Sequence, residues 1–211
     1  MMWIRRVFYF LAALCILLVV YYRVWFLRQP DRKVPHNEHL FVSPANGTIV
    51  AVKPWNSTAL VETKANDGAI RVWTKDVDTA GYIVSIQMDV TNVHFQRAPV
   101  SAALLAEVHT PGDYNNAIVM SNDYGIRFEN EHNEMLFGTA DGKKFKIIQI
   151  AGFVARRIED YVEPKQQVTQ GDIIGLIKLG SQVTVILPSG INLKATVGEK
   201  VVDGESVLAE W

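Results

Sequence analysis

The sequence predicts a mainly β protein, sandwich- or barrel-like with a minor helical part, attached to one N-terminal membrane-associated helix. Three observations carry this. From Leu40 onward, short β-prone runs alternate with Gly, Pro, Asn and Asp clusters, the spacing of an all-β sandwich or barrel. Over the same stretch only residues 151–161 carry a helical pattern. Before it, residues 7–22 contain no charge, and the apolar character resumes past Arg23 through Leu27. A run of about 20 apolar residues is enough for a helix to cross a bilayer, so this one can span it or lie deep in its interface. The chain therefore divides into an anchor over residues 1–27 and a β-rich domain over residues 28–211.

Taken in order, the helix comes first, with Arg5 and Arg6 before it and Arg23, Arg28, Arg32 and Lys33 after it. That bias favours a cell-membrane protein whose main domain lies on the cytoplasmic side. Trp25, Arg28 and Arg32 read as interface anchors. A cleaved signal peptide is the rival, but no small-residue cleavage site follows the run. The predicted strands are 47–52, 70–74, 82–88, 94–98, 102–108, 117–121, 125–129, 135–139, 145–150, 173–179, 183–187, 192–195 and 207–211. Each is bounded by turn residues.

Composition narrows the function. The chain has 211 residues, 49% of them apolar, enough for one domain with a sizeable core. A formal net charge of −1 argues against a nucleic-acid binder. Its single cysteine, Cys15, lies in the apolar run, so an intrachain disulfide and a Cys-based metal site are excluded. The histidines have no metal-ligand spacing, and no metal is expected.

The informative dipeptide is Gly180-Ser181, between two predicted strands. Gly-Ser is a common hairpin corner, yet a Gly-Ser step in a tight turn is also a place where a chain can cut itself. Glycine leaves its carbonyl open to approach and tolerates strained angles. A serine hydroxyl is a weak nucleophile and needs a base nearby, a part that a histidine can take, since imidazole titrates near working pH. Turns at Pro111-Gly112-Asp113, Gln170-Gly171-Asp172 and Val202-Asp203-Gly204 echo one another as in lipoyl- or biotinyl-carrier sandwiches. The carrier reading lacks a lysine at a hairpin tip flanked by Met or Ala.

The order and spacing of several segments go further. These are Ser43-Pro44-Ala45-Asn46-Gly47, Asn92-Val93-His94-Phe95-Gln96-Arg97-Ala98-Pro99-Val100, Pro111-Gly112-Asp113-Tyr114, Asn130-Glu131-His132-Asn133-Glu134, Gln149-Ile150-Ala151-Gly152-Phe153-Val154-Ala155-Arg156-Arg157-Ile158 and Gly171-Asp172-Ile173-Ile174-Gly175-Leu176-Ile177. With Gly180-Ser181 they resemble the short, compact branch of the phosphatidylserine decarboxylase proenzymes, from about Arg28 to the end of the chain. The resemblance implies cleavage between Gly180 and Ser181 into chains 1–180 and 181–211, which stay together as a heterodimer; higher assembly is left open. Ser181 would become a covalent pyruvoyl cofactor that forms a Schiff base with the amine of phosphatidylserine at the bilayer. Loss of CO2 would leave phosphatidylethanolamine. Such a sink is needed because no ordinary side chain delocalises the carbanion, and the chain has no Gly-rich loop for a phosphate-bearing cofactor.

By the same resemblance His94 is the functional histidine, and Asn46 stands where relatives carry the Asp of an Asp-His-Ser set. Asparagine can orient the ring but cannot stabilise an imidazolium as a carboxylate does. Asp89 could substitute, although on a strand its odd offset from His94 would point it to the opposite face. Gln182 is a second departure, where compact relatives carry Arg and long ones Thr. Arg97, Arg156 and Arg157, with Asn92, are candidates to meet the substrate's phosphate or carboxylate; the alternative for the arginines is structural ion pairs. Two other readings stay open: a non-processing relative that binds lipid, and a pyruvoyl decarboxylase of a soluble amino acid.

Overall fold

The computed structural model describes residues 2–57, 66–113, 126, 129–152, 157–178 and 181–211. It opens with an apolar helix, α1 (Met2–Val20), continued by a π-helical turn over Tyr21–Phe26. There Leu27 N–H reaches back to the Tyr22 carbonyl at 3.1 Å, the wider i→i+5 spacing. Every side chain of α1 lacks burial, and together with its extension it is long and apolar enough to cross a membrane.

The body is antiparallel β. Its strands are β1 (Leu40–Val42), β2 (Gly47–Asn56), β3 (Ala80–Met88), β4 (Phe95–Arg97), β5 (Ala102–Thr110), β6 (His132–Gly138), β7 (Lys144–Ala151), β8 (Ile158–Asp160), β9 (Gln167–Val168), β10 (Ile173–Ile177), β11 (Ser181–Pro188), β12 (Asn192–Leu193), β13 (Lys200–Val201) and β14 (Val207–Glu210). One large sheet runs β13-β2-β3-β11-β7-β6-β5-β9 and curls into a half-barrel. Two three-stranded sheets, β1-β14-β12 and β4-β10-β8, complete it. The mainly β class predicted from sequence is the one observed.

β11 is the spine. It pairs with β3 from Ser181↔Met88 to Pro188↔Gly81, and with β7 from Ser181↔Ala151 to Ile186↔Lys146. All eight of its residues are buried, the polar Ser181, Gln182 and Thr184 together with the apolar ones. Because side chains alternate, Ser181, Val183, Val185 and Leu187 share one face and Gln182, Thr184 and Ile186 the other. The first face meets the main core around Met88, Ala151, Phe145 and Phe41. Helix α2 (Asn66–Thr74) covers the second, over Ile83, Ile148, Ile150 and Ile186.

Two predicted elements are corrected. Residues 70–74 are helical: Ile70, Trp73, Thr74 and Val77 are buried while Val72 is 58% exposed, the i, i+3, i+4, i+7 signature. A strand would have buried Val72 along with Ile70, and the β-branched and aromatic content disguised this. Of residues 151–161, the described ones are not helical: β7 ends at Ala151 and β8 pairs Ile158 with Ile177, while residues 153–156 lie outside the described residues. Predicted strands 117–121 and 125–129 lie almost wholly outside the described residues. β1, β8, β9 and β13, two or three residues each, are too short for periodicity to reveal.

Candidate active site

Ser181 is the first residue of β11, with no solvent exposure, and its Oγ has no hydrogen-bond partner among the described residues. Buried hydroxyls are nearly always paired, so an orphan on the central strand calls for a chemical rather than a packing reason. Gly180 and Arg156 lie outside the described residues.

Two short routes carry the fold from Ser181 to His94. Ser181 is registered against Met88, after which a compact turn, closed by Asn92 N–H to the Asp89 carbonyl at 3.1 Å, leads directly to His94. From the other side, Ile177 at the end of β10 donates its N–H to the His94 carbonyl at 3.3 Å, four residues before Ser181. The chain thus brings both residues to the same end of the spine.

His94 is fully buried, and its Nδ1 lies 3.0 Å from the Asn92 carbonyl. A neutral imidazole donating there carries its lone pair on Nε2. Burial pushes its pKa down to about 4; the Asn92 bond and the Asp89 charge oppose this, and the Arg28 charge adds to it. At neutral pH the ring is an uncharged base.

Asn46 does not touch the ring. Its Oδ1 accepts from Asn92 Nδ2 at 3.0 Å, and the Asn92 Oδ1 accepts the Asp89 N–H at 2.8 Å. Asn92 is therefore the hub: its side chain answers to Asn46 and its carbonyl holds His94. Gly47, which follows Asn46, lets β2 lie close on β3, because a Cβ there would sit 2.2 Å from the Gln87 carbonyl oxygen. Asp89 follows β3 instead of lying within it, so strand parity does not govern it. Its carboxylate caps the Thr91 N–H at 2.8 Å and is held below the ordinary carboxylate range, first by the Thr91 hydroxyl.

Arg97 is spent within the fold. Its guanidinium donates to Asp203 Oδ2 at 3.0 Å, to the Gly171 carbonyl at 2.8 Å and to the Pro30 carbonyl at 3.4 Å. Arg32 holds the other Asp203 oxygen at 2.5 Å, so it too faces inward instead of anchoring at a lipid interface. Arg157 remains 72% exposed, with Nε 3.4 Å from Glu159. Lys178, which sequence reasoning missed, shares that carboxylate at 2.6 Å and donates its backbone N–H to the Arg157 carbonyl at 3.1 Å. Two cations against one carboxylate thus stand just ahead of Ser181. Gln182 projects from the opposite face of β11, beside Gln87 and Ile150, away from the Ser181 hydroxyl.

A β body with an apolar N-terminal helix, and a buried serine and neutral histidine at the head of its central strand, defines a class of self-contained site. The phosphatidylserine decarboxylase family model matches residues 22–209, and the chain belongs to that family of enzymes. Among curated relatives, the phosphatidylserine decarboxylase proenzyme of Burkholderia ambifaria (strain MC40-6) is 36% identical over 193 residues, 92% of this chain and 80% of that protein. The proenzyme of Chlorobaculum parvum is 34% identical over 196 residues, 93% of this chain and 81% of that protein. That of Desulfotalea psychrophila is 32% identical over 194 residues, 92% of this chain and 81% of its own.

Proposed function

We propose that the chain is a membrane-associated proenzyme that cuts itself between Gly180 and Ser181 and then decarboxylates phosphatidylserine to phosphatidylethanolamine and CO2. The observation that carries this is the buried, unpartnered Ser181 Oγ on the spine, with neutral His94 delivered to the same end. His94 accepts the hydroxyl proton as Oγ attacks the Gly180 carbonyl, and the peptide bond becomes an ester. Removal of the Ser181 α-proton then expels the Gly180 carboxylate and leaves dehydroalanine, which hydrolyses with loss of ammonia to a pyruvoyl terminus. When present, that group supplies the electron sink that decarboxylation requires. A burial site for a small ketone on β11, between Met88 and Ala151, fits it.

The remaining chemistry falls to side chains of this protein. His94 returns a proton to the substrate carbon after CO2 leaves. Arg157 and Lys178 meet the lipid phosphate, and the excess of cation over Glu159 favours an anion there. Arg97 supports the structural alternative. The exposed α1 confines the enzyme to the plane of its substrate.

The two chains would remain together. β11 is hydrogen-bonded on both edges to the large chain, and Asp203 of the small chain is gripped by Arg32 and Arg97. Breaking such a buried ion set by removing one partner costs roughly 3–5 kcal/mol.

An intact mass spectrum of the denatured protein tests the reading. A fragment 181–211 whose terminal amine has become a ketone supports it. A single uncut chain favours the lipid-binding alternative, for which Asn46 in place of the carboxylate is the motivating observation.

A further inference from the structure

The turn that ends the membrane helix lies on the site itself. Phe26 is fully buried, and its ring sits 4.2 Å, centroid to centroid, from the His94 imidazole. Tyr22 stacks on Phe26 at 5.5 Å. The same turn grips the backbone that carries His94: Tyr21 Oη donates to the Val90 carbonyl at 2.9 Å, and Arg28 Nη2 donates to the Thr91 carbonyl at 2.6 Å. Arg28 is itself braced by the Trp25 carbonyl at 2.7 Å and by the Trp25 ring at 4.4 Å. The π-helical winding widens this turn, a geometry that recurs at functional sites because it re-aims side chains without ending the helix.

These contacts unite two things usually considered separately. Leu27 packs with Val93, Phe95 and Leu176, so the helix end shares an apolar cluster with the strands flanking His94. Removing the helix would uncover the ring as well as free the enzyme from the bilayer. A helix that served only as a tether would need no ring against the histidine and no bonds to successive carbonyls of its loop.

We infer that Phe26 is a positioning residue of the active site, clamped onto His94 by Tyr21 and Arg28, so that seating of the membrane helix orients the imidazole and keeps water from it. This rests on the proton-transfer role proposed for His94. Among the described residues the charged groups acting on the ring are Asp89 from its own turn and Arg28 from the helix end; β10 presents Leu176 and Ile177 at this point. Dryness beneath Phe26 holds the imidazole neutral, and water admitted there moves it toward its ordinary state.

The test uses the full chain in detergent micelles containing phosphatidylserine, comparing wild type, Phe26→Ala and Phe26→Leu. Three quantities are read: kcat and KM, co-sedimentation with phosphatidylserine–phosphatidylcholine vesicles, and the His94 titration by NMR of 13C-labelled imidazole. Phe26→Ala should lower kcat by about tenfold while KM and vesicle binding stay within about twofold. Its His94 titration should move up from about 4 toward the ordinary 6.5. Phe26→Leu, which restores an apolar cover, should recover most of both effects. Losses confined to KM or vesicle binding, or an unmoved titration, would overturn the inference and leave Phe26 a part of the tether. A moved titration with unchanged turnover would also overturn it. His94→Gln separates the two readings: if that variant turns over normally, the base role falls, whereas the titration in Phe26→Ala reports the clamp independently of catalysis.

Discussion

His94 and His132 each follow an asparagine by two residues, and each turns Nδ1 back onto that asparagine's carbonyl, at 3.0 and 2.8 Å. Both are buried, and both carry an aromatic ring at close range, Phe26 on one and Trp73 on the other. The surroundings differ. His132 Nε2 lies 3.9 Å from Glu134, which is salt-bridged to Lys146 at 3.0 Å, in the layer beneath α2. At His94 the Asp89 carboxylate acts through its field, against dominant desolvation. The same local turn therefore yields a histidine tied into an ion-paired layer and another that burial holds neutral. Sequence context of the Asn-x-His kind sets the ring's orientation, and the tertiary neighbours set its job.

The largest effect is expected at the proposed nucleophile. Ser181→Ala should abolish both the fragment 181–211 and decarboxylation, read by mass spectrometry and CO2 release, because no other described hydroxyl begins the central strand. Detectable cleavage in that variant would move the nucleophile elsewhere and dissolve the comparison.

Next come the two histidines directly. His94→Gln should slow maturation or turnover by about 100-fold, the usual weight of a positioned general base. His132→Gln should leave both within about threefold but cost about 1 kcal/mol of stability through the lost contacts to Glu134 and Trp73, seen as a lower melting temperature. Equal activity losses in both variants would mean that the shared local geometry, not the surroundings, decides function.

How much of this contrast was legible beforehand depends on the range of the interactions. The runs at 145–150 and 183–187 were readable as strands because they are rich in β-branched and aromatic residues, Phe145, Ile147, Ile148 and Ile150 in β7 and Val183, Thr184, Val185 and Ile186 in β11. Ser181 and His94 were legible from motif chemistry. The Asn46–Asn92 bond spans 46 positions, the Arg97–Asp203 pair 106, and the Arg28–Thr91 bond 63. No local pattern encodes such meetings. Lys178 was missed for the same reason: only its pairing with Glu159 and its bond to Arg157 set it in one cluster with Arg157. Helix α2 was missed for the opposite reason, since local β propensity outvoted a helical burial period that was visible at Ile70, Trp73 and Val77.

Acidification offers a subtler probe of the same difference. The folded protein holds His94 at a pKa of about 4, below the ordinary 6.5 of the unfolded chain. As pH falls from 6.5 to 4 the unfolded state takes up a proton that the folded state refuses, so stability is lost across that window, by about 3 kcal/mol from this group, and is untouched above it. The stability of His94→Gln relative to wild type should accordingly rise by that amount between pH 7 and pH 4 in chemical denaturation. A relative stability independent of pH would show that water reaches the ring and that Phe26 does not seal it.

The smallest effect is expected at Asn46, and it bears on how the His94 turn is wired. A carboxylate at this position is nearly isosteric and can accept the same Asn92 Nδ2 hydrogen bond that Asn46 accepts at 3.0 Å, so Asn46→Asp should preserve the geometry. It adds a negative charge one residue removed from the imidazole, which would favour the imidazolium that the proposed proton transfer from Ser181 forms. Because the charge acts through Asn92 and not by contact, its benefit should be modest: maturation faster by about threefold, followed by the appearance of fragment 181–211 in freshly made protein. An unchanged rate would mean that the Asn92 amide insulates the ring from position 46. In that case Asn92→Ala, which releases the His94 carbonyl anchor's side-chain bonds to Asn46 and Asp89 together, should slow maturation more than any substitution at Asn46 speeds it.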